Sequence, residues 1–97
     1  MATRRRQTSA VLRLPQRFTV ENVAAVLDDV RARVKKGGKL TIDLADVHTV
    51  DSAGLQLLTA VRRQLDAEGR EFELKSVPET LVDSARLLGV DMLLELA

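Results

Sequence analysis

The sequence predicts an α/β domain with a small, mainly parallel sheet and helices packed on one of its faces. Residues 40–44 and 71–75 alternate between apolar and polar, which is the two-residue period of strands with one covered face. Three longer segments repeat apolar residues at helical spacing and alternate with the strands along the chain. This alternation favours parallel strands joined by helices.

The first strand is predicted over residues 10–14, where Leu12 and Leu14 share a face, and Pro15 ends it. Thr19 is the predicted N-cap of the helix that follows. That helix ends in a run of cations before Gly37 and Gly38, as the helix dipole favours. Its apolar stripe consists of Val23, Val26, Leu27, Val30 and Val34.

The second half of the chain repeats this order. After the strand at 40–44, a helix is predicted over residues 52–68, closed by Gly69, with Leu58, Val61 and Leu65 facing the core. A strand with Phe72 and Leu74 on one face follows. A last helix is predicted over residues 79–88, closed by Gly89, and the apolar segment 90–96 is expected to dock as a strand or a helical turn.

Length and composition indicate one domain. A chain of 97 residues, 45% hydrophobic and 30% charged, can form a single core. Residues 1–9, with Arg4, Arg5 and Arg6, are expected to be a flexible basic N-terminus, and residues 10–97 the folded domain.

Several classes of function are disfavoured. The only aromatic residues are Phe18 and Phe72, and the net charge is +1, so nucleic acid is not an expected partner. Without cysteine there is no disulfide or thiolate metal site, and no cofactor is predicted. No apolar run is long enough for membrane insertion, which leaves the cytoplasm as the expected location. His48 is the only histidine and no P-loop is present, so no catalytic residues are predicted.

The candidate site lies where the strand around Ile42 leads into the helix that begins at Ser52. Sites in open α/β sheets form at the carboxyl ends of strands. A phosphate on Ser52 would lie near unpaired N–H groups and the positive end of the helix dipole. Its charge would therefore act mainly on a bound partner.

A partner surface is predicted beside Ser52. Helical spacing places Gln56, Thr59 and Arg63 on the same outer side, and Ala53 and Gly54 keep the start of the helix low. Leu55 lies at the edge of the core stripe and is either an apolar anchor or a half-buried core residue. The predicted partner-binding residues are Asp51, Ser52, Ala53, Gly54, Leu55, Gln56, Thr59 and Arg63.

A purely structural interpretation of the same residues stays open. Asp51 would cap the helix, Ser52 would fill its first turn, and Gly54 would allow a close contact to the sheet.

The motif Asp51-Ser52-Ala53-Gly54-Leu55, between a hydrophobic strand and an amphipathic helix, resembles the STAS family from about Val11 to about Leu94. The short form is similar to accessory STAS proteins of bacterial signalling clusters. By resemblance to the anti-sigma-factor antagonists, Ser52 would be the phosphoacceptor, Asp51 its neighbour and Gly54 the small residue of the motif. The resemblance implies a non-catalytic module that binds a partner serine kinase, itself the anti-sigma factor or a signalling kinase, and is released by phosphorylation.

Two alternatives remain. The chain could be a constitutive subunit of a lipid-transport or chemotaxis assembly that is never modified. Alternatively, Asp43, Asp46 and Asp51 could form a magnesium or phosphoacceptor cluster in an enzyme-like domain, which would need converging carboxylates. The sequence does not fix the oligomeric state.

Overall fold

A computed structural model describes residues 9–96. Its elements in chain order are β1 (Ser9–Arg13), β2 (Arg17–Phe18), α1 (Val23–Val34), β3 (Lys39–Asp43), β4 (Thr49–Val50), α2 (Ser52–Ala67), β5 (Phe72–Lys75) and α3 (Glu79–Leu88). The predicted α/β fold, with strands and helices alternating, is confirmed. The first strand begins one residue before the predicted start, and the basic segment 4–6 lies outside the described residues.

The main sheet has three parallel strands in the order β1-β3-β5. Leu12 pairs in register with Ile42, which pairs with Leu74. Leu12 and Ile42 are buried, so this row belongs to the core. In the next row Val11 and Glu73 are exposed, whereas Thr41 of the central strand is only 6% exposed. The first face is therefore covered as predicted, and the second face is exposed at its edge strands but buried at Thr41.

A second, two-stranded parallel sheet was not predicted. Arg17 pairs with Thr49, and Phe18 pairs with Val50. Strands of two residues are too short to show a two-residue period, so the sequence pattern could not reveal them. The pairing brings the fully buried Phe18 to the segment from which α2 begins.

The start of α1 differs from the prediction, because Asn22, and not Thr19, occupies the N-cap position. Asn22 folds the preceding turn: its Oδ1 accepts a hydrogen bond from the Thr19 backbone N–H at 3.0 Å, and its Nδ2 donates to the Arg17 carbonyl. The Thr19 hydroxyl is buried without a partner among the described residues. Val26 and Val30 of the predicted stripe are buried, and Gly37 and Gly38 follow the helix with positive φ.

The last helix ends as predicted. Gly89 adopts a left-handed conformation after Leu88, with φ of 73°. The segment that follows is a series of turns, in which the Leu94 N–H donates to the Val90 carbonyl at 3.0 Å. Leu94 is only 1% exposed, which confirms that this segment docks on the core.

Within residues 9–96, no helix combines the length and apolar character needed to cross a membrane.

Candidate functional site

The candidate site is the start of α2. One residue, Asp51, separates β4 from this helix, and its backbone N–H donates to the Phe18 carbonyl of β2 at 3.4 Å. The two-stranded sheet therefore sets the position at which α2 begins.

Asp51 holds this junction together. Its Oδ1 accepts a hydrogen bond from the Gly54 N–H at 3.1 Å, which caps α2, and its Oδ2 accepts one from the Val20 N–H at 3.0 Å. The hydrogen bond from Val20, followed by that from Gly54, lowers the pKa of the Asp51 carboxyl. The carboxylate is therefore ionised at neutral pH and ties the segment before α1 to the start of α2.

Gly54 has an internal role. It is buried, and a Cβ at this position would lie 2.6 Å from the Phe18 carbonyl oxygen and 2.9 Å from the ring carbon Cδ2. The prediction that Gly54 lowers the surface for an approaching partner is wrong, because the residue faces the small sheet. The structural interpretation, in which Gly54 allows a close contact to the sheet, is confirmed.

Ser52 is exposed in the first turn of α2, and Ala53 is half-buried. The Ser52 side chain makes no hydrogen bond with the residues that the structure describes. Its hydroxyl is therefore accessible to an enzyme or to a partner, next to the ionised Asp51.

The outer side of α2, on which Gln56, Thr59 and Arg63 were predicted, is only partly exposed. Gln56 and Arg63 are exposed, whereas Thr59 is 9% exposed and donates its hydroxyl proton to the Leu55 carbonyl at 2.8 Å. The prediction that Thr59 belongs to the exposed face is wrong. Of the two interpretations of Leu55, the core residue is confirmed, and at 1% exposure it is fully and not half buried.

The end of α3 lies beside this side of α2, and a groove of about 350 Å³ separates the two. The residues that line it are Leu55, Gln56, Thr59, Ala60, Arg63, Leu88 and Val90. Sequence analysis missed the contribution of α3. The sequence pattern carried no signal for it, because adjacent apolar residues such as Leu57 and Leu58 can both face one core.

The three aspartates considered as a metal cluster make separate contacts. The Asp43 Oδ1 accepts a hydrogen bond from the Ala45 N–H at 2.9 Å, and Asp46 pairs with Arg13 at 3.2 Å. No group of three His, Cys, Asp or Glu side chains in the described part of the chain is arranged to hold a metal ion. These contacts account for Asp43, Asp46 and Asp51 as local structural residues.

Fold and site together define a small α/β domain with a parallel sheet and an exposed serine at the start of its central helix. The family model described as "Mlab, STAS domain" matches residues 1–95. This chain belongs to the STAS domain family, as its sequence motif indicated. STAS domains are generally non-catalytic regulatory modules that mediate protein–protein interactions. No curated protein matches the chain.

Proposed function

We propose that this chain is a cytoplasmic protein-binding regulatory module of the anti-sigma-factor antagonist kind, switched by phosphorylation of Ser52 by a partner serine kinase. The observation that carries the proposal is the exposed Ser52 hydroxyl beside the ionised Asp51 carboxylate at the start of α2.

The local charges make Ser52 an effective position for a switch. A phosphoryl group adds about 1.5 to 2 negative charges at neutral pH. Asp51 already accepts the Gly54 N–H and carries a negative charge, so it repels a phosphoryl group on Ser52. The group is thereby directed away from the domain and toward whatever covers the start of α2.

The surface next to Ser52 also suits a neutral contact. Val20 is 70% exposed, and its backbone N–H donates to Asp51, which fixes this apolar residue beside the start of α2. A partner that covers Val20 at this junction would lie close to Ser52, the neighbour of Asp51. Burying a phosphoryl group there without a compensating cation is costly, so phosphorylation would release the partner.

A second candidate is a constitutive STAS subunit of a transport or signalling assembly that is never phosphorylated. It is favoured by the structural roles of the flanking motif residues, since Asp51 caps α2 and Gly54 contacts Phe18 without any modification.

Affinity capture from native lysate distinguishes the two candidates. The baits are the unmodified chain, Ser52→Ala, Ser52→Asp and, as a charge control, Ala32→Glu, which adds one charge at an exposed site of α1 that does not line the groove beside α2. Bound proteins and Ser52 phosphate are read by mass spectrometry.

The switch predicts that a kinase-like partner binds every bait except Ser52→Asp, and that Ser52 phosphate is present in the unmodified chain. Equal capture by all four baits, with no phosphate on Ser52, would instead establish the constitutive subunit.

A further inference from the structure

The end of α3 carries a concentrated set of exposed apolar side chains. Among the described residues, the exposed large hydrophobic side chains are Val11, Val20, Leu87, Leu88 and Met92, so three of the five lie in one segment. Leu87 is 89% exposed and Met92 is 76% exposed. A concentration of exposed apolar side chains in one segment is typical of an interaction site, and Leu88 is the one of these three that lines the groove beside α2.

This segment borders the groove between α2 and α3. Leu88 and Val90 form one wall, and Ala60 and the apolar edge of Leu55 contribute to the other. Its volume of about 350 Å³ is at the lower end of the range of about 300 to 1,000 Å³ for small-molecule pockets. A groove of this size can receive side chains from a partner segment.

The charge of the groove specifies the partner. Among the described residues that line the groove, Arg63 is charged and none carries a carboxylate. Arg63 is exposed and makes no ion pair with any described residue. The groove therefore offers an apolar surface that ends at an uncompensated cation.

We propose that this groove binds an amphipathic segment of the protein partner, with apolar side chains against Leu88 and Val90 and a carboxylate paired with Arg63. The inference rests on the proposed docking role of the α2 surface and specifies the chemistry of what docks there. A second copy of the chain is a poorer occupant, because a two-fold contact centred on this groove would bring the two Arg63 side chains together.

Arg63 and Ser52 lie toward opposite ends of one surface, since the groove begins at Leu55 and Gln56, about one helical turn after Ser52. Arg63 is eleven residues after Ser52, which is roughly 16 Å along the helix axis. This distance exceeds the Debye length of about 8 Å at physiological ionic strength, so a phosphoryl group on Ser52 does not neutralise Arg63. Substitution of Arg63 therefore tests the ion pair of the groove without changing the charge at Ser52.

The test uses two synthetic amphipathic helical peptides of about three turns, with the same leucine face and with either glutamates or lysines beside it. Binding to the full chain is measured by fluorescence anisotropy, and the contact residues are mapped by amide chemical shifts. The variants are Arg63→Glu, Leu88→Asp and the control Lys36→Glu, which makes the same charge change as Arg63→Glu at an exposed residue outside the groove.

The glutamate peptide is expected to bind about five- to tenfold more tightly than the lysine peptide. Arg63→Glu should reverse that preference, and Leu88→Asp should abolish binding of both peptides. Lys36→Glu should leave affinity for the glutamate peptide within about twofold. The amide chemical shifts that change on peptide binding should be those of residues 55–63 and 88–90.

Equal binding of the two peptides, an unchanged preference in Arg63→Glu, or shift changes confined to α1 would overturn the groove assignment. Concentration-dependent self-association of the unmodified chain that Leu88→Asp abolishes would also overturn it, in favour of a second copy. Failure of Ser52→Asp to release the native partner would reject the switch alone, since the peptide measurement does not involve it.

Discussion

The Phe18 carbonyl oxygen lies directly against Gly54, so that a Cβ at residue 54 would stand only 2.6 Å from it. This contact joins β2 to the first turn of α2. Alanine usually stabilises a helix by about 1 kcal/mol relative to glycine. The contact with Phe18 reverses this preference at residue 54.

Gly54→Ala is therefore expected to reduce the free energy of unfolding by about 1 to 3 kcal/mol, the usual cost of overpacking. The backbone oxygen cannot move aside as a flexible side chain could. The measurement is urea denaturation followed by circular dichroism.

The matched control is Ala60→Gly, at an exposed position of the same helix. The free energy of unfolding of this variant should fall by about 1 kcal/mol through helix propensity alone. A stabilised Gly54→Ala variant would show that the junction relaxes without cost and would contradict the close contact.

The regular elements could be predicted because their patterns repeat over several residues. The stripe of Leu58, Val61 and Leu65 is buried as expected, and α3 ends at the glycine that the sequence indicated. The STAS motif was also identifiable from the sequence. Its residues follow a predicted strand and open a predicted helix, and this context makes a short motif more specific.

The remaining features depend on contacts that periodicity does not contain. Thr59 lies on the outer side of an isolated α2, but it borders the groove that the end of α3 and Val90 form beside this flank. Thr19 and Asn22 are both competent caps, and only the turn between β2 and α1 selects Asn22. Which side of α2 packs against a neighbouring element depends on the tertiary structure, and the helical period alone does not determine it.

Arg62 is a second feature that the pattern concealed. Its side chain is 6% exposed and its guanidinium lies over the Phe72 ring, 4.7 Å from the centroid. It reaches the largely exposed carboxylates of Asp66 and Glu95, each at 3.7 Å. Exposed partners at this distance stabilise little, so packing of the long side chain should dominate.

We therefore expect Arg62→Met to change the free energy of unfolding by less than about 1.5 kcal/mol, because it retains the volume. Arg62→Ala should cost about 2 to 4 kcal/mol through the cavity that it leaves. Denaturation of the two variants and of the unmodified chain measures these changes in the free energy of unfolding. Equal losses in the two would mean that the charge contacts, and not the packing, hold residue 62.

Ser52→Asp should fold as stably as the unmodified chain. The exposed side chain has room for a carboxylate, and the helix dipole favours an anion there, although Asp51 repels it. A change within about 0.5 kcal/mol is expected for Ser52→Asp and for Ser52→Ala in thermal and urea unfolding. A large loss of stability in Ser52→Asp would mean that any loss of partner binding reflects unfolding.

Leu94 should anchor the turns that follow α3. Leu94→Ala removes a side chain that is 1% exposed and should cost about 2 to 5 kcal/mol. Leu87→Ala is the control, since Leu87 is 89% exposed and should change stability by less than about 0.5 kcal/mol. Equal, small effects of both substitutions would show that the segment after Gly89 is not docked in solution.

The Asp51 carboxylate should make stability depend on pH in the acid range. Because its hydrogen bonds with Val20 and Gly54 lower its pKa in the folded state, the unfolded chain binds a proton more readily. The stabilisation is complete above the ordinary aspartate pKa of about 3.9 and is lost as pH falls through the lower pKa of the folded protein.

The test compares the unmodified chain with Asp51→Asn in urea denaturation between about pH 7 and pH 3. Asp51→Asn should be less stable by a constant amount above about pH 5, and the difference should narrow as pH falls below about 4. Asp28→Asn, at an exposed residue of α1 without a side-chain hydrogen bond or ion pair among the described residues, is the control for the loss of one surface carboxylate. A gap between Asp51→Asn and the unmodified chain that persists to pH 3 would mean that the ionised carboxylate is not what joins Val20 to the start of α2.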